Sequence, residues 1–199
     1  MSGDGPRLSR GTLAPEGSTE PSVAAATHSD VEERELVVAA QRGDVLALSR
    51  LMDRLAPWLA RICGAIALEQ ADDAAQEALV QVFRDLRTLR EPDALRGWAR
   101  RIAVRESVRH AQRARTSAHT HVGGDAAAVL AAEPHDPALA PDVRAVLALL
   151  APEQRAILVL RDLEGLSEQE AAAQLGVAKG TVKSRLFRAR EAFAKRWSG

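Results

Sequence analysis

The stretch from Leu166 to Arg190 constrains this chain more than any other. Ser167 and Glu170 stand three residues apart, just ahead of an alanine-rich run. At that spacing a hydroxyl and a carboxylate each satisfy an orphan backbone N–H at a helix start. A first helix therefore opens here, and it closes at Leu175-Gly176, because glycine most readily enters the left-handed conformation that ends a helix. Val182, Leu186, Ala189 and Phe193 then recur at spacings of four, three and four, one apolar face of a second helix. The other side of that helix is cationic: Lys179, Lys183, Ser184, Arg185, Arg188 and Arg190 precede its first acid, Glu191. Two helices about a tight glycine turn, the second basic outward and apolar inward, are what a helix-turn-helix needs to lay a recognition helix in a DNA major groove. Lys179, Thr181, Lys183, Ser184, Arg185 and Arg188 are the candidate reading residues. A plain helical hairpin with a solvated basic face is the competing interpretation, and the coincidence of capping box, glycine turn and one-sided basic helix disfavours it.

The rest of the chain has to supply a core with few rings. Aromatic residues make up 3% of the 199 and there is no Tyr, so the interior is built from Leu, Val, Ile and Ala, as in helical bundles. The formal net charge of zero conceals a division. Residues 84–115 hold ten bases against four acids and residues 166–199 seven against three, while 116–142 hold four acids and no Lys or Arg. Two basic modules flanking an acidic connector suit a polyanionic partner. The single Cys63 rules out an intrachain disulfide and, set among apolar neighbours, reads as a small buried residue in a reducing compartment. No run approaches the roughly 18 apolar residues of a membrane span, and no apolar signal core stands at the N-terminus. No Ser/His/Asp set, phosphate-binding loop or paired carboxylates at useful spacing are present, so an enzyme is not expected.

Read in order, residues 1–30 are dense in Gly, Pro, Ser and Thr and are expected to be a disordered tail. A helical pattern begins at Val31, pauses at Gly43-Asp44, and resumes as a core stripe through Leu48, Leu51, Leu55, Trp58, Ile62 and Ile66. Pro57 interrupts that stripe and predicts a kink or a break. Asp72 or a neighbour should cap the next helix, whose apolar side is Ala75, Leu79, Val82, Phe83 and Leu86. Asp93 should cap a third, with Leu95, Trp98, Ile102 and Val108 inward. Its outward side is a basic ladder of Arg96, Arg100, Arg101, Arg105, Arg109, Arg113 and Arg115. Adjacent arginines repel unless an anion is near. Residues 116–141 read as a flexible acidic linker. His119, His121 and His135 within it lack the spacing of a metal site, and no cofactor is implied. Val143, Val146, Leu147 and Leu150 form a short stripe from Pro141-Asp142 onward. Pro152 then starts a helix over Glu153 to Leu163.

Several of these segments resemble one family. Leu163-Glu164-Gly165-Leu166-Ser167 and Gly180-Thr181-Val182-Lys183-Ser184-Arg185-Leu186, with Leu150-Ala151-Pro152-Glu153-Gln154-Arg155 before them, are similar to region four of extracytoplasmic-function (ECF) sigma factors, the small bacterial transcription initiation subunits. Ala40-Gln41-Arg42-Gly43-Asp44, the D-D-x-x-Q-E pattern of Asp72 to Glu77, and Arg96-Gly97-Trp98-Ala99-Arg100-Arg101 resemble region two. Together the resemblances cover most of Leu36 to Trp197. They imply an all-α chain of two small helical domains, at 31–115 and 142–199. They also imply that Asp73, Gln76 and Glu77 dock on the β′ clamp helices of core RNA polymerase. Arg96, Trp98, Arg100, Arg101, Arg105 and Arg109 would approach the promoter −10 element, and the second helix of region four the −35 element. For Trp98 the periodicity makes a core role an equal alternative. Where many members carry Asn and, four residues on, Asp, this chain has Arg105 and Arg109, a departure from the family pattern that implies an unusual −10 preference. The implied partners are the polymerase core (β′ clamp helices and β flap), promoter DNA and, as a regulator, an anti-sigma factor, all in the cytoplasm with no membrane insertion. A stand-alone helix-turn-helix regulator with an N-terminal sensing or dimerisation domain is the alternative.

Overall fold

The structure, a computed structural model, describes residues 23–120 and 140–197, with side chains described for 31–117 and 140–197. The expected tail therefore lies outside the described residues up to position 22, and so does the linker from 121 to 139. Among the described residues every regular element is helical.

The N-terminal half is a bundle of four helices, α1 (Val23–Gln41), α2 (Val45–Ala67), α3 (Ala71–Asp85) and α4 (Leu95–Thr120). Helix α1 begins eight residues ahead of the apolar pattern that opens at Val31, and α4 continues to Thr120, past the expected linker boundary at Thr116. Gly43, at φ +99°, turns the chain between α1 and α2. Asp44 then caps α2 through Oδ1, which accepts from the backbone N–H groups of Leu46 at 2.9 Å and Ala47 at 3.0 Å. Of the stripe, Leu51, Leu55, Ile62 and Ile66 are fully enclosed while Leu48 and Trp58 are half-buried, and Leu59, outside the expected stripe, is fully enclosed as well.

Four local expectations need correction. Pro57 does not divide α2, which runs unbroken from Val45 to Ala67 with the proline on its exposed side. Asp72 does not cap α3. The helix starts at Ala71 behind a 3₁₀ turn over Leu68–Gln70, and Asp72 and Asp73 lie inside its first turn, where acids complement the dipole. Asp93 does not cap α4 either; it lies in the preceding 3₁₀ turn, Pro92–Ala94, and pairs with Arg34 at 3.3 Å. Phe83 is 56% exposed, because the small residues Ala71, Ala74, Ala75 and Ala78 with Val82 make the inner face of α3.

The C-terminal half contains α5 (Pro141–Ala148), α6 (Pro152–Leu158), α7 (Glu168–Leu175) and α8 (Lys179–Trp197). Pro152 stands at the first position of α6 as expected, but the helix widens after Leu158 into a single π turn over Val159–Leu163. Ile157 and Leu160 are fully buried. The two halves are not held apart: α6 packs against both α2 and α4, and α7 packs against α4. Buried apolar residues of both halves form one continuous cluster, from Val37 to Ala189.

Candidate polymerase and promoter interface

The helix-turn-helix forms as its residues dictate. Ser167 Oγ accepts from Glu170 N–H at 3.2 Å, and Glu170 Oε2 accepts from Ser167 N–H at 2.8 Å. Hydrogen bonding to the carboxylate by the Ser167 side chain, and then by the Ser167 backbone N–H, favours the charged form and holds Glu170 below the ordinary carboxylate range. Gly176 takes the left-handed conformation at φ +64°. The Val177 N–H then returns to the Ala172 carbonyl at 3.1 Å, closing α7. Helix α8 buries Val182, Leu186 and Ala189, leaving Lys179, Lys183, Ser184, Arg185 and Arg188 exposed and Thr181 half-buried. Two of the exposed groups bond locally, Ser184 Oγ to the Thr181 carbonyl at 3.1 Å and Arg188 Nε to the Ser184 carbonyl at 3.3 Å. Arg190 instead donates to Asp162 within the π turn, at 3.2 Å through Nε, and the carboxylate keeps the guanidinium charged more firmly than usual.

On α3, Asp73, Gln76 and Glu77 are exposed together near the N-terminal end of the helix. Glu77 also faces α4, with an oxygen 4.0 Å from Arg109.

Arg96, Arg100, Arg101, Arg105 and Arg109 of the α4 ladder are engaged rather than bare. Arg96 forks onto Glu33 of α1, with Nε 2.9 Å and 3.0 Å from the two carboxylate oxygens. The guanidiniums of Arg96 and Arg100 lie over the Trp58 ring, 4.9 Å and 5.5 Å from its centre. Arg105 donates to Gln81 of α3 at 2.6 Å and to Glu106 at 3.2 Å, and Arg109 also pairs with Glu106, whose side chain is 4% exposed. The two arginines that depart from the family pattern are thus braced by one buried carboxylate. Trp98 is half-buried against the core.

Across the halves, Arg100 Nε donates to Glu164 Oε2 at 3.2 Å, and Arg101 Nη2 donates to the Ala173 carbonyl at 2.9 Å. Glu164 also accepts from Trp58 Nε1 at 3.3 Å and from Arg61 at 2.9 Å. Sequence reasoning missed the Trp58, Arg61 and Glu164 cluster. Its only trace is the position of Glu164 in the turn before the capping box, next to Gly165 at φ +67°.

Arg101, Arg105 and Arg109 of α4 line the same cleft as Arg185 of α8, about 460 Å³ in volume. The structure thereby brings three residues of the set expected at the −10 element beside one residue, Arg185, of the set expected at the −35 element, while Asp73, Gln76 and Glu77 remain on α3. Of the three histidines of the connector, His121 and His135 lie outside the described residues and only the backbone of His119 is described. No helix is long and apolar enough to cross a membrane among the described residues.

Two family models match the chain: Sigma-70 region 2 over residues 51–116 and Sigma-70, region 4, over residues 141–193. The ECF RNA polymerase sigma factor SigE of Mycolicibacterium smegmatis is 39% identical over 130 residues, which are 61% of this chain and 49% of that protein, so this match spans about half the relative's length. The ECF RNA polymerase sigma factor SigM of Mycobacterium tuberculosis is 33% identical over 177 residues, 88% of this chain and 89% of the relative. Among solved structures, the sigma factor RpoE of Bartonella quintana, in complex with the anti-sigma factor NepR, matches in fold with a TM-score of 0.60 at 22% identity, over 75% of this chain and 96% of that one. With both region models matched in order and a relative aligned along nearly its whole length, the chain belongs to the ECF family of sigma-70 type RNA polymerase sigma factors.

Proposed function

We propose that this chain is an alternative sigma subunit that works in the cytoplasm, recruits core RNA polymerase to a specific set of promoters, and has no catalytic chemistry of its own. Asp73, Gln76 and Glu77 hold the β′ clamp helices. Arg96, Trp98, Arg100, Arg101, Arg105 and Arg109 approach the −10 element. Lys179, Thr181, Lys183, Ser184, Arg185 and Arg188 read the −35 element, and the region carrying them docks at the β flap. The proposed division is a tail at 1–30, region two at 31–115, a connector at 116–141 and region four at 142–199. An anti-sigma factor is the class of protein regulator that goes with this assignment.

One observation carries the reading. The same chain exposes both a cationic recognition helix and, on α3, the acid-and-amide cluster Asp73, Gln76 and Glu77. A stand-alone regulator has no use for the second surface. Run-off transcription with purified core polymerase and genomic promoter fragments tests it: discrete transcripts that require this chain are expected. DNA binding without any initiation would return the protein to the class of ordinary helix-turn-helix regulators.

A further inference from the structure

Arg105 and Arg109 stand one turn apart on α4, at a spacing where two cations repel each other. Glu106, next to Arg105 in the chain, is 3% exposed, and its two oxygens are divided between the two guanidiniums. Oε1 accepts from Arg105 Nε at 3.2 Å, and Oε2 pairs with Arg109. On the α3 side, Arg105 Nη2 donates to Gln81 at 2.6 Å, and Arg109 lies 4.0 Å from Glu77. The acid is almost wholly enclosed, yet the side chains that neutralise it are 55% and 41% exposed.

That contrast separates a brace from a surface ion pair. A pair exposed at both ends is worth little and holds no fixed geometry. A buried carboxylate stripped of its counter-charges is strongly unfavourable, so folding of α4 holds both arginines against Glu106. A guanidinium carries five N–H donors in one rigid plane and no acceptor. The contacts above engage Nε and Nη2 of Arg105 and Nη2 of Arg109, leaving Nη1 of each outside them. Side chains already fixed lose less freedom when they take up a ligand. Donor-only groups match the O6 and N7 acceptors of guanine, whereas the Asn and Asp of the family pattern suit adenine and the cytosine amino group.

Building on the function proposed above, we infer that Glu106 is a positioning residue for −10 recognition. It presents Arg105 and Arg109 as one preoriented, donor-only pair, and this pair gives the chain a preference for guanine in its −10 element.

The test uses reconstituted holoenzyme and a promoter selected by the wild-type chain, remade with every single-base change in its −10 and −35 elements. The wild type should favour guanine at one or more −10 positions by at least about fivefold, the lower end of what a bidentate arginine discriminates. Glu106→Gln keeps the shape and removes the charge that gathers the arginines, and Glu106→Leu replaces the acid with an apolar side chain of similar size. The arginines are half exposed and can hydrate, so helicity should be retained in both. Each variant should lose the guanine preference while the −35 profile stays that of the wild type, and Glu106→Asp should restore part of it. Adding Glu106→Gln to Arg105→Ala and Arg109→Ala should flatten the −10 profile no further than the two arginine changes alone, as expected of residues that act through one another. A wild type without guanine preference in the −10 element overturns the inference. An unchanged −10 profile in the glutamine and leucine variants does so too, as does an equal loss across all bases, which marks a merely structural role. If the wild-type chain initiates at no promoter the sigma reading itself fails, whereas initiation with an unaltered −10 profile in these variants removes the inference alone.

Discussion

Gln174 of α7 donates its side-chain amide to the carbonyl of Gly97, 3.1 Å away in α4 and 77 positions earlier in the chain. Gly97 stands inside the helix at ordinary φ, and a methyl group built there would meet only the Gln174 amide nitrogen, at 3.8 Å. That is normal van der Waals contact, so the glycine is not required for close approach. Gly97→Ala should therefore stabilise the chain by about 0.5–1 kcal/mol, mainly by restricting the unfolded backbone. Urea denaturation checks it. A loss of stability would mean that the contact between α4 and α7 is tighter than these distances indicate.

The capping box gives a pH-dependent expectation. Glu170 is held below its ordinary value of 4.5, first by its bond with the Ser167 side chain and then by the Ser167 backbone. A carboxylate lowered in the folded chain favours folding above its ordinary value, and that contribution is lost as pH falls through the lowered value. Carboxyl NMR titration should show Glu170 titrating below 4.5 in the wild type and moving back up in Ser167→Ala. The loss of the Ser167 hydroxyl should lower stability by about 1 kcal/mol.

Cys63 is fully buried. Desolvation pushes its thiol up to about 11, and the thiolate is the reactive form. In the native chain near pH 8, a thiol reagent should react at the rate of global unfolding, and in denaturant it should react at once. Rapid modification of the folded protein would contradict the packing of α2 against α4.

Core binding is addressed on α3. Gln76→Ala with Glu77→Lys should weaken association with core polymerase at least about tenfold, the scale of one lost interfacial hot spot, with circular dichroism unchanged. Both side chains are exposed, and Glu77 is only 4.0 Å from Arg109. The single Gln76→Ala variant separates loss of the polymerase contact from disturbance of the pairing between α3 and α4. Wild-type affinity in the double variant would remove these residues from the interface.

What could be read from sequence was what neighbours along the chain determine. The Ser167 and Glu170 box, the left-handed Gly176 and the buried stripe of Val182 and Leu186 depend on contacts within a turn or two, and all form as their spacing requires. Periodicity located α2 and the ladder of α4 equally well. It failed where a choice between adjacent residues is made by packing. The close approach of α3 through its alanines rotates Phe83 outward, and the 3₁₀ turns before α3 and α4 shift the helix starts away from Asp72 and Asp93. Pro57 is accommodated on the open side of α2, where a missing N–H is tolerable. The clasp at Glu164 joins residues 64 to 106 positions apart; no local pattern encodes it, because each partner alone reads as a surface charge or a core ring.

The most direct measurement concerns α8, where Arg185 and Arg188 stand exposed on the helix that buries Val182 and Leu186. A promoter selected from a randomised pool by wild-type holoenzyme is remade with every single-base change in its −35 element and transcribed with each variant. Arginine can bind guanine through two N–H groups, for about 1–3 kcal/mol of discrimination, whereas a lysine on phosphate adds affinity without sequence preference. Arg185→Ala or Arg188→Ala should flatten the preference at particular positions of the −35 element, while Lys195→Ala lowers transcription evenly or leaves it unchanged. A base-by-base profile that stays the same in both arginine variants would show that α8 is not the reader and would contradict the sigma assignment of this helix.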